Sequence, residues 1–235
     1  MKKNKIILFF TFIAFCFLSI FFTRKITSVN YDNFHVLSNF IKTYKADGGC
    51  YLIINVEDKN IIDEACIKIN RNISIGVSGF IKSFNAIASK TKINQLPPPV
   101  SPEQVRKYIF NLSDSNTIRQ LAFTYTDFLQ NKNNYIEKQQ WLYIKNILTK
   151  NVKEGTAKKT NINKINVGGL TSTIIKPDNN NITAFLGNFS YKKQEYVIIT
   201  LLVSPKGLEK NFGYNSAGWN AVPLAAELIK NIMGD

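Results

Sequence analysis

The pattern of apolar and polar positions predicts a three-strand antiparallel meander in the last third of the chain. Three runs rich in Val, Ile, Leu, Phe and Tyr, at residues 167–175, 182–189 and 196–203, are separated by polar stretches that are typical of turns. The first run begins with Gly168 and Gly169, where the absence of side chains lets a ligand or another backbone lie close to the strand. An ordinary strand with a glycine bulge is the alternative interpretation.

Helical periodicity predicts helices before and after this meander. Apolar spacing predicts an amphipathic helix over residues 31–45, a broadly apolar helix that begins near Ser78 with Ser78 as its N-cap, and a last helix over residues 219–232. A helical block over about residues 101–150 starts with a Ser-Pro pair after a proline-rich linker. This order predicts an α+β fold with an antiparallel sheet of about five strands and a separate helical subdomain.

Two cysteines bracket a further predicted hairpin. Cys50 and Cys66 stand at the outer ends of two apolar runs joined by the polar turn at residues 57–60. A hairpin that closes on this turn places the two cysteines nearly opposite each other, and an exported location permits a disulfide there. Two half-buried free thiols are the alternative, and the residues leave both open.

An apolar segment at the N-terminus predicts a membrane anchor. Residues 6–22 are apolar except at three positions, lysines precede them, and basic residues rather than a small-residue cleavage site follow. We expect residues 1–25 to be an uncleaved single-pass anchor in the cell (inner) membrane, with a cleaved signal peptide as the alternative. Residues 26–235 would then form a domain exported to the periplasmic or extracellular side.

The net charge of +14 favours an anionic surface over nucleic acid as a partner. Five of the 30 Lys and Arg residues flank the apolar segment, and the others are scattered. They form no dense basic run, and no aromatic residues are interleaved with them as stacking platforms for bases. We therefore expect a basic surface that faces anionic lipid or cell-wall polymer, and no nucleic-acid partner.

The scarcity of histidine excludes several enzyme classes. His35 is the only histidine, and it lies off the apolar stripe of the first predicted helix, close to the membrane. A Ser-His-Asp or Cys-His site therefore cannot be built elsewhere in the chain. No metal site and no cofactor are predicted.

Several stretches resemble the transpeptidase domain of penicillin-binding proteins and the related serine β-lactamases, especially those of class D. Residues 152–157 are similar to the V-x-x-G-T-A segment that precedes the family's third motif, and residues 167–173 stand where V-A-G-K-T-G-T is expected. Residues 120–131 are similar to the helix Q-L-A-x-x-Y-A-x-x-x-N. The resemblance covers roughly residues 47–233 and implies the β-lactamase/transpeptidase-like fold.

The resemblance also implies a reaction, which is acyl transfer by an activated serine. In the family, a serine at a helix N-terminus attacks a carbonyl, and a lysine one turn later takes its proton. Gly79 occupies the serine position in the best register and Lys82 the lysine position, which removes the nucleophile. A one-residue gap offers Ser78 instead, spaced i, i+4 from Lys82 on one helix face. Ser78 and Lys82 are therefore the candidate catalytic residues.

The other two motifs depart from the family as well. In the third motif, Leu170 replaces the lysine that would hold a substrate carboxylate, and Ser172 replaces the glycine that lets substrate lie along the strand. Thr171 keeps a hydroxyl, and Thr173 keeps an N–H that would point at an oxyanion. These four are the candidate substrate-binding residues. The helical block contains no matching S-x-N second motif.

Three hypotheses follow from these observations. The first is a membrane-anchored, exported relative of the transpeptidases that no longer catalyses and that binds peptidoglycan peptides, β-lactams or an envelope protein. The second is a working D,D-transpeptidase or class D-like β-lactamase that uses Ser78 and Lys82. The third is a basic envelope protein outside the family that shares only the α+β layout.

Overall fold

A five-stranded antiparallel sheet organises the computed structural model, which describes residues 31–91, 100–132, 135–175 and 181–234. The strands follow the order β2-β1-β7-β6-β5 across the sheet. Their bounds are β1 (Gly48–Asn55), β2 (Ile61–Ile67), β5 (Val167–Ile174), β6 (Ile182–Tyr191) and β7 (Gln194–Val203). Two short strands, β3 (Ser74–Gly76) and β4 (Ser115–Thr117), pair separately. Strand β5 is thus an edge strand of the main sheet.

Six α-helices of the described residues cover the two faces of this sheet. They are α1 (Tyr31–Thr43), α2 (Ser78–Ala88), α3 (Pro102–Phe110), α4 (Ile118–Gln130), α5 (Lys138–Glu154) and α6 (Ala221–Met233). The terminal helices α1 and α6 pack on one face, where they share a core with Phe185 and Ile198 of the sheet. Helices α2 to α5 pack on the other face, around Leu52 and Leu186. Burial on both faces explains why the central strands are almost entirely apolar.

The sequence-based expectation of an α+β fold with a five-stranded antiparallel sheet is confirmed. The three-strand meander is also confirmed, because β5 pairs with β6 and β6 pairs with β7, all antiparallel. Within the predicted helical block, Ser101 and Thr117 begin α3 and α4 with capping boxes that include Gln104 and Gln120. Each capping box lies within four consecutive residues, so the start of each helix can be predicted from the local sequence.

The N-cap prediction for α2 is wrong by one residue. Val77 is the N-cap residue, no side chain caps this helix, and Ser78 is already its first helical residue. The reason lies in the preceding strand. The pairing of β3 with β4 continues into a bond from the Val77 backbone N–H to the Asp114 carbonyl (3.0 Å), which fixes the chain just before the helix begins.

The glycine pair at the start of β5 makes room for protein rather than for a ligand. The register of β5 with β6 runs unbroken from Val167 to Ile174, so there is no bulge. A Cβ atom on Gly169 would lie 2.5 Å from the Phe185 ring, and one on Gly168 would lie 3.3 Å from Leu148 in α5. The bulge is therefore wrong, whereas the close approach of another backbone is confirmed, because the Leu148 backbone carbon of α5 would lie 3.5 Å from a Cβ atom on Gly168.

The predicted membrane anchor, residues 1–25, lies outside the described residues. In the ranges that the structure describes, no helix has the length and apolar character needed to cross a membrane.

The cysteine pair is a disulfide in the structure. Cys50 and Cys66 are directly opposite in the β1–β2 register, with an S–S distance of 2.01 Å and a Cα–Cα distance of 4.1 Å. Of the two alternatives that the sequence left open, the structure has the bonded one. The bond lies at the end of the hairpin away from its turn, so it holds edge strand β2 to β1.

We expect loss of this disulfide to lower the free energy of unfolding. The bond joins cysteines that are 16 positions apart, and for a loop of this size the reduced entropy of the unfolded chain corresponds to about 3 kcal/mol. Urea unfolding with and without dithiothreitol measures the effect, and the double variant Cys50→Ala/Cys66→Ala is the control that the reductant should leave unchanged. Identical unfolding of the native protein in both conditions would contradict the expectation.

Candidate functional site

Helix α2 lies along the outer edge of β5, the strand that carries the third-motif residues. The backbone N–H of Thr171 donates to Ser83 Oγ at 3.3 Å. One helical turn earlier, a Cβ atom built on Gly79 would overlap Ser172 Oγ and lie 3.0 Å from Ser172 Cα. Gly79 and Ser83 therefore form the helix face that contacts the strand edge.

A cluster of neutral polar side chains joins α2, α5 and β5, and we call it the hydroxyl cluster: Ser83, Asn151, Thr156 and Thr171. Asn151 Nδ2 donates to Ser83 Oγ (3.1 Å) and to the Gly169 carbonyl (2.8 Å). Thr171 Oγ1 donates to Ser83 Oγ (3.2 Å) and lies 2.6 Å from Thr156 Oγ1. The cluster therefore ties together the two helices and the strand.

The hydroxyl cluster is suited to holding structure rather than to proton transfer. Ser83 Oγ lies within hydrogen-bond distance of the Asn151 amide, the Thr171 N–H and the hydroxyls of Thr156 and Thr171, and the residue is only 8% exposed. A serine nucleophile requires a neighbouring base, and the cluster contains no carboxylate, amine or imidazole. The described residues also contain no group of three or more His, Cys, Asp and Glu side chains that could hold a metal ion.

The candidate catalytic pair lies beside this contact face rather than on it. Ser78 and Lys82 are both exposed, one turn apart on α2. The residues that follow each of them, Gly79 and Ser83, are the ones that contact β5. A role for Ser78 and Lys82 as nucleophile and base stays a prediction.

The four candidate substrate-binding residues are adjacent on β5, and their side chains contact other parts of the protein. Leu170 is fully buried in the core beneath the helices, and Ser172 is 1% exposed. Thr171 belongs to the hydroxyl cluster. Thr173 Oγ1 accepts a hydrogen bond from the Ala217 backbone N–H at 3.0 Å. Their role in binding a substrate stays a prediction.

Gly79 and Ser172, which depart from the family motifs at separate places in the sequence, contact each other in the structure. The hydroxyl of Ser172 occupies the space in front of Gly79 that a side chain at position 79 would need. Its Oγ atom is buried and has no hydrogen-bond partner among the described residues. Relative to the resembling motifs, the chain has exchanged serine and glycine across this contact. Only the fold reveals the exchange, because 93 positions of sequence separate the two residues.

Sequence reasoning also missed a pocket of about 360 Å³ next to the hydroxyl cluster. It lies between the C-terminal half of α2, the segment 154–159 and the turn at 216–219, and we call it the Trp219 pocket. Lys158 and Lys159 line it, and Lys159 Nζ lies 3.7 Å from the centre of the Trp219 ring. No motif marks these residues, and the indole comes from a segment about 60 positions later, so no local signal was available.

Two solved structures share this arrangement of sheet and helices. The transpeptidase domain of the FtsI4 D,D-transpeptidase from Legionella pneumophila aligns with a TM-score of 0.66 and 18% identity, over 85% of this chain and 94% of that one. The chain has the fold of a penicillin-binding transpeptidase domain. The same domain of penicillin-binding protein 3 from Burkholderia pseudomallei aligns at 0.65 and 12%, over 90% and 96% of the two chains.

The transpeptidase fold confirms the resemblance that the sequence motifs indicated. A scan against protein-family models finds no match, and a search of curated proteins finds none either. The sequence identities to the two structures are low, so the comparison establishes the fold alone. The third hypothesis, a basic envelope protein outside the family, stays a hypothesis, because agreement at low identity shows the fold alone.

We expect Ser83→Ala to destabilise the transpeptidase fold by about 1–3 kcal/mol, because it leaves buried donors of Asn151 and Thr171 without their acceptor. Urea unfolding measures the change. Ser89→Ala is the matched control, since Ser89 is an exposed serine at the end of the same helix. Equal stability of the two variants would show that the hydroxyl cluster does not hold α2 to β5.

We expect Gly79→Ser alone to destabilise by about 1–3 kcal/mol, because the added hydroxymethyl group overlaps Ser172. The double variant Gly79→Ser/Ser172→Gly should recover much of this loss, since the space is then refilled from the other side. Unfolding of both single variants and the double variant gives the coupling free energy. Gly76→Ser is the control, because a Cβ atom there meets Ile174 at an ordinary 3.4 Å. Additive effects would refute the contact.

Proposed function

We propose that this chain is a membrane-anchored protein of the cell envelope that has a transpeptidase fold, does not catalyse acyl transfer, and acts by binding a peptidoglycan peptide or an envelope partner. The observation that carries the proposal is the closed contact between Gly79 and Ser172. In the reaction that the resembling motifs imply, this is where a nucleophile faces the substrate-binding strand.

The absence of space at this contact supports loss of acyl transfer. Carbon atoms in van der Waals contact stand about 3.5–4.0 Å apart, so a substrate between helix and strand needs a gap of roughly twice that width. A Cβ atom on Gly79 would already lie 3.0 Å from Ser172 Cα. A carbonyl therefore does not fit between the two residues unless the helix and the strand separate.

The chemistry of the neighbouring side chains supports the same conclusion. The residue one turn inward from Gly79 on the contact face is Ser83, whose partners are all neutral. Leu170 places a buried aliphatic side chain where the resembling motif has an ammonium for the substrate carboxylate. Both charges that acyl transfer would use are therefore missing from the contact between α2 and β5.

An envelope location is supported by two independent features. Residues 6–22 form an apolar segment with lysines before it and basic residues after it, the pattern of an anchor with its N-terminus inside. The Cys50–Cys66 disulfide is of the kind that forms and persists in oxidising compartments. An excess of basic residues would then face the anionic polymers and lipids of the envelope.

We expect no covalent labelling when the folded protein is incubated with a fluorescent penicillin and separated by denaturing electrophoresis. The physical reason is that, among the residues that the structure describes, no serine with a neighbouring base faces the β5 edge. Labelling that disappears in Ser78→Ala and persists in Ser89→Ala would instead establish the alternative, an acyl-serine enzyme that uses Ser78 and Lys82. A circular dichroism spectrum of each variant shows that a negative result comes from folded protein.

A further inference from the structure

We infer that the Trp219 pocket binds a small ligand with one free carboxylate, such as the C-terminus of a short peptide. The inference rests on the proposed function, because it supplies the peptide-binding site that a non-catalytic protein of this fold would use. It concerns a pocket that is not lined by the candidate catalytic residues Ser78 and Lys82 or by the candidate substrate-binding residues 170–173.

The first observation is an excess of positive charge around the pocket. Lys90, Lys158 and Lys159 line it, against one acid, Glu154. Among the ion pairs of the described residues, none includes any of the three lysines. Their charges are therefore available to an anion, since the three lysines exceed the one glutamate by two charges.

The second observation is the placement of Lys159. Its ammonium stands over the Trp219 ring, where the ring's electron density holds a cation. Partial burial, together with repulsion from Lys158 and Lys210, lowers the pKa of Lys159 below its ordinary value. Lys159 therefore stands among like charges, and a bound carboxylate would offset their repulsion.

The third observation is that the pocket offers both polar and apolar walls. Thr156 and Ser216 provide hydroxyl groups for a carboxylate or an amide, while Ile87 and Trp219 provide apolar surface. A volume of about 360 Å³ is at the small end of ligand sites, which suits one or two amino-acid residues. A carboxylate joined to a small aliphatic amide matches these walls better than a bare inorganic anion.

The test is a titration of the isotope-labelled protein with N-acetyl-D-alanyl-D-alanine, followed by NMR at the indole N–H of Trp219. The chain has two tryptophans, and Trp141→Phe assigns their signals. We expect the Trp219 signal to shift with the carboxylate peptide and not with the same peptide as its C-terminal amide. N-acetyl-L-alanyl-L-alanine shows whether the pocket selects the configuration found in cell-wall peptides.

A charge-neutral double variant tests the role of the lysines. Lys158→Gln/Lys159→Gln should weaken binding by about tenfold or more, since two charge-assisted contacts are lost. Lys153→Gln is the matched control, because Lys153 is exposed on α5 outside the pocket, and it should bind as the native protein does.

Three outcomes would overturn the inference: equal binding of the amide peptide, no effect of the lysine substitutions, or a shift with inorganic phosphate at lower concentration than with the peptide. Labelling by penicillin together with intact peptide binding would overturn only the proposed loss of catalysis. Absence of labelling together with absence of binding would overturn only the pocket inference.

Discussion

The site depends on the close packing of α2 against the outer edge of β5. An edge strand presents unpaired N–H and C=O groups, and a folded protein must either pair them or cover them. Here Ser83 accepts from the Thr171 N–H, and Asn151 donates to the Gly169 carbonyl, so side chains replace the missing neighbouring strand. The approach is close because position 79 has no side chain. The same contact therefore stabilises the sheet edge and occupies the place where a substrate would pair with it.

The fold around this contact could largely be predicted from the sequence. Alternation in the last three strands, capping boxes at Ser101 and Thr117, and the opposed cysteines are all local signals. The start of α2 was displaced by one residue because its cause, a bond from Val77 to Asp114, joins positions that are distant in sequence. The Phe185 ring that requires Gly169 could not be predicted for the same reason, since it comes from another strand.

The site could be predicted only in part. Comparison with the family motifs identified Gly79, Leu170 and Ser172 as departures from them. It also predicted that α2 and β5 are neighbours, and the structure has them in contact. It could not show that Ser83, rather than Lys82, is directed at the strand, because helix rotation is set by packing against the core. Nor could it find the Trp219 pocket, whose lysines and indole carry no motif and meet only through the fold.

The serine and glycine that meet across the edge of β5 also constrain how this chain could change over evolutionary time. A serine introduced at position 79 meets an occupied space, and a glycine introduced at position 172 leaves an empty one. Each single step is therefore penalised in the background of the other residue, so that recovery of a hydroxyl on the helix would need two coordinated changes. Such a pair is epistatic, because the effect of changing either residue depends on the identity of the other.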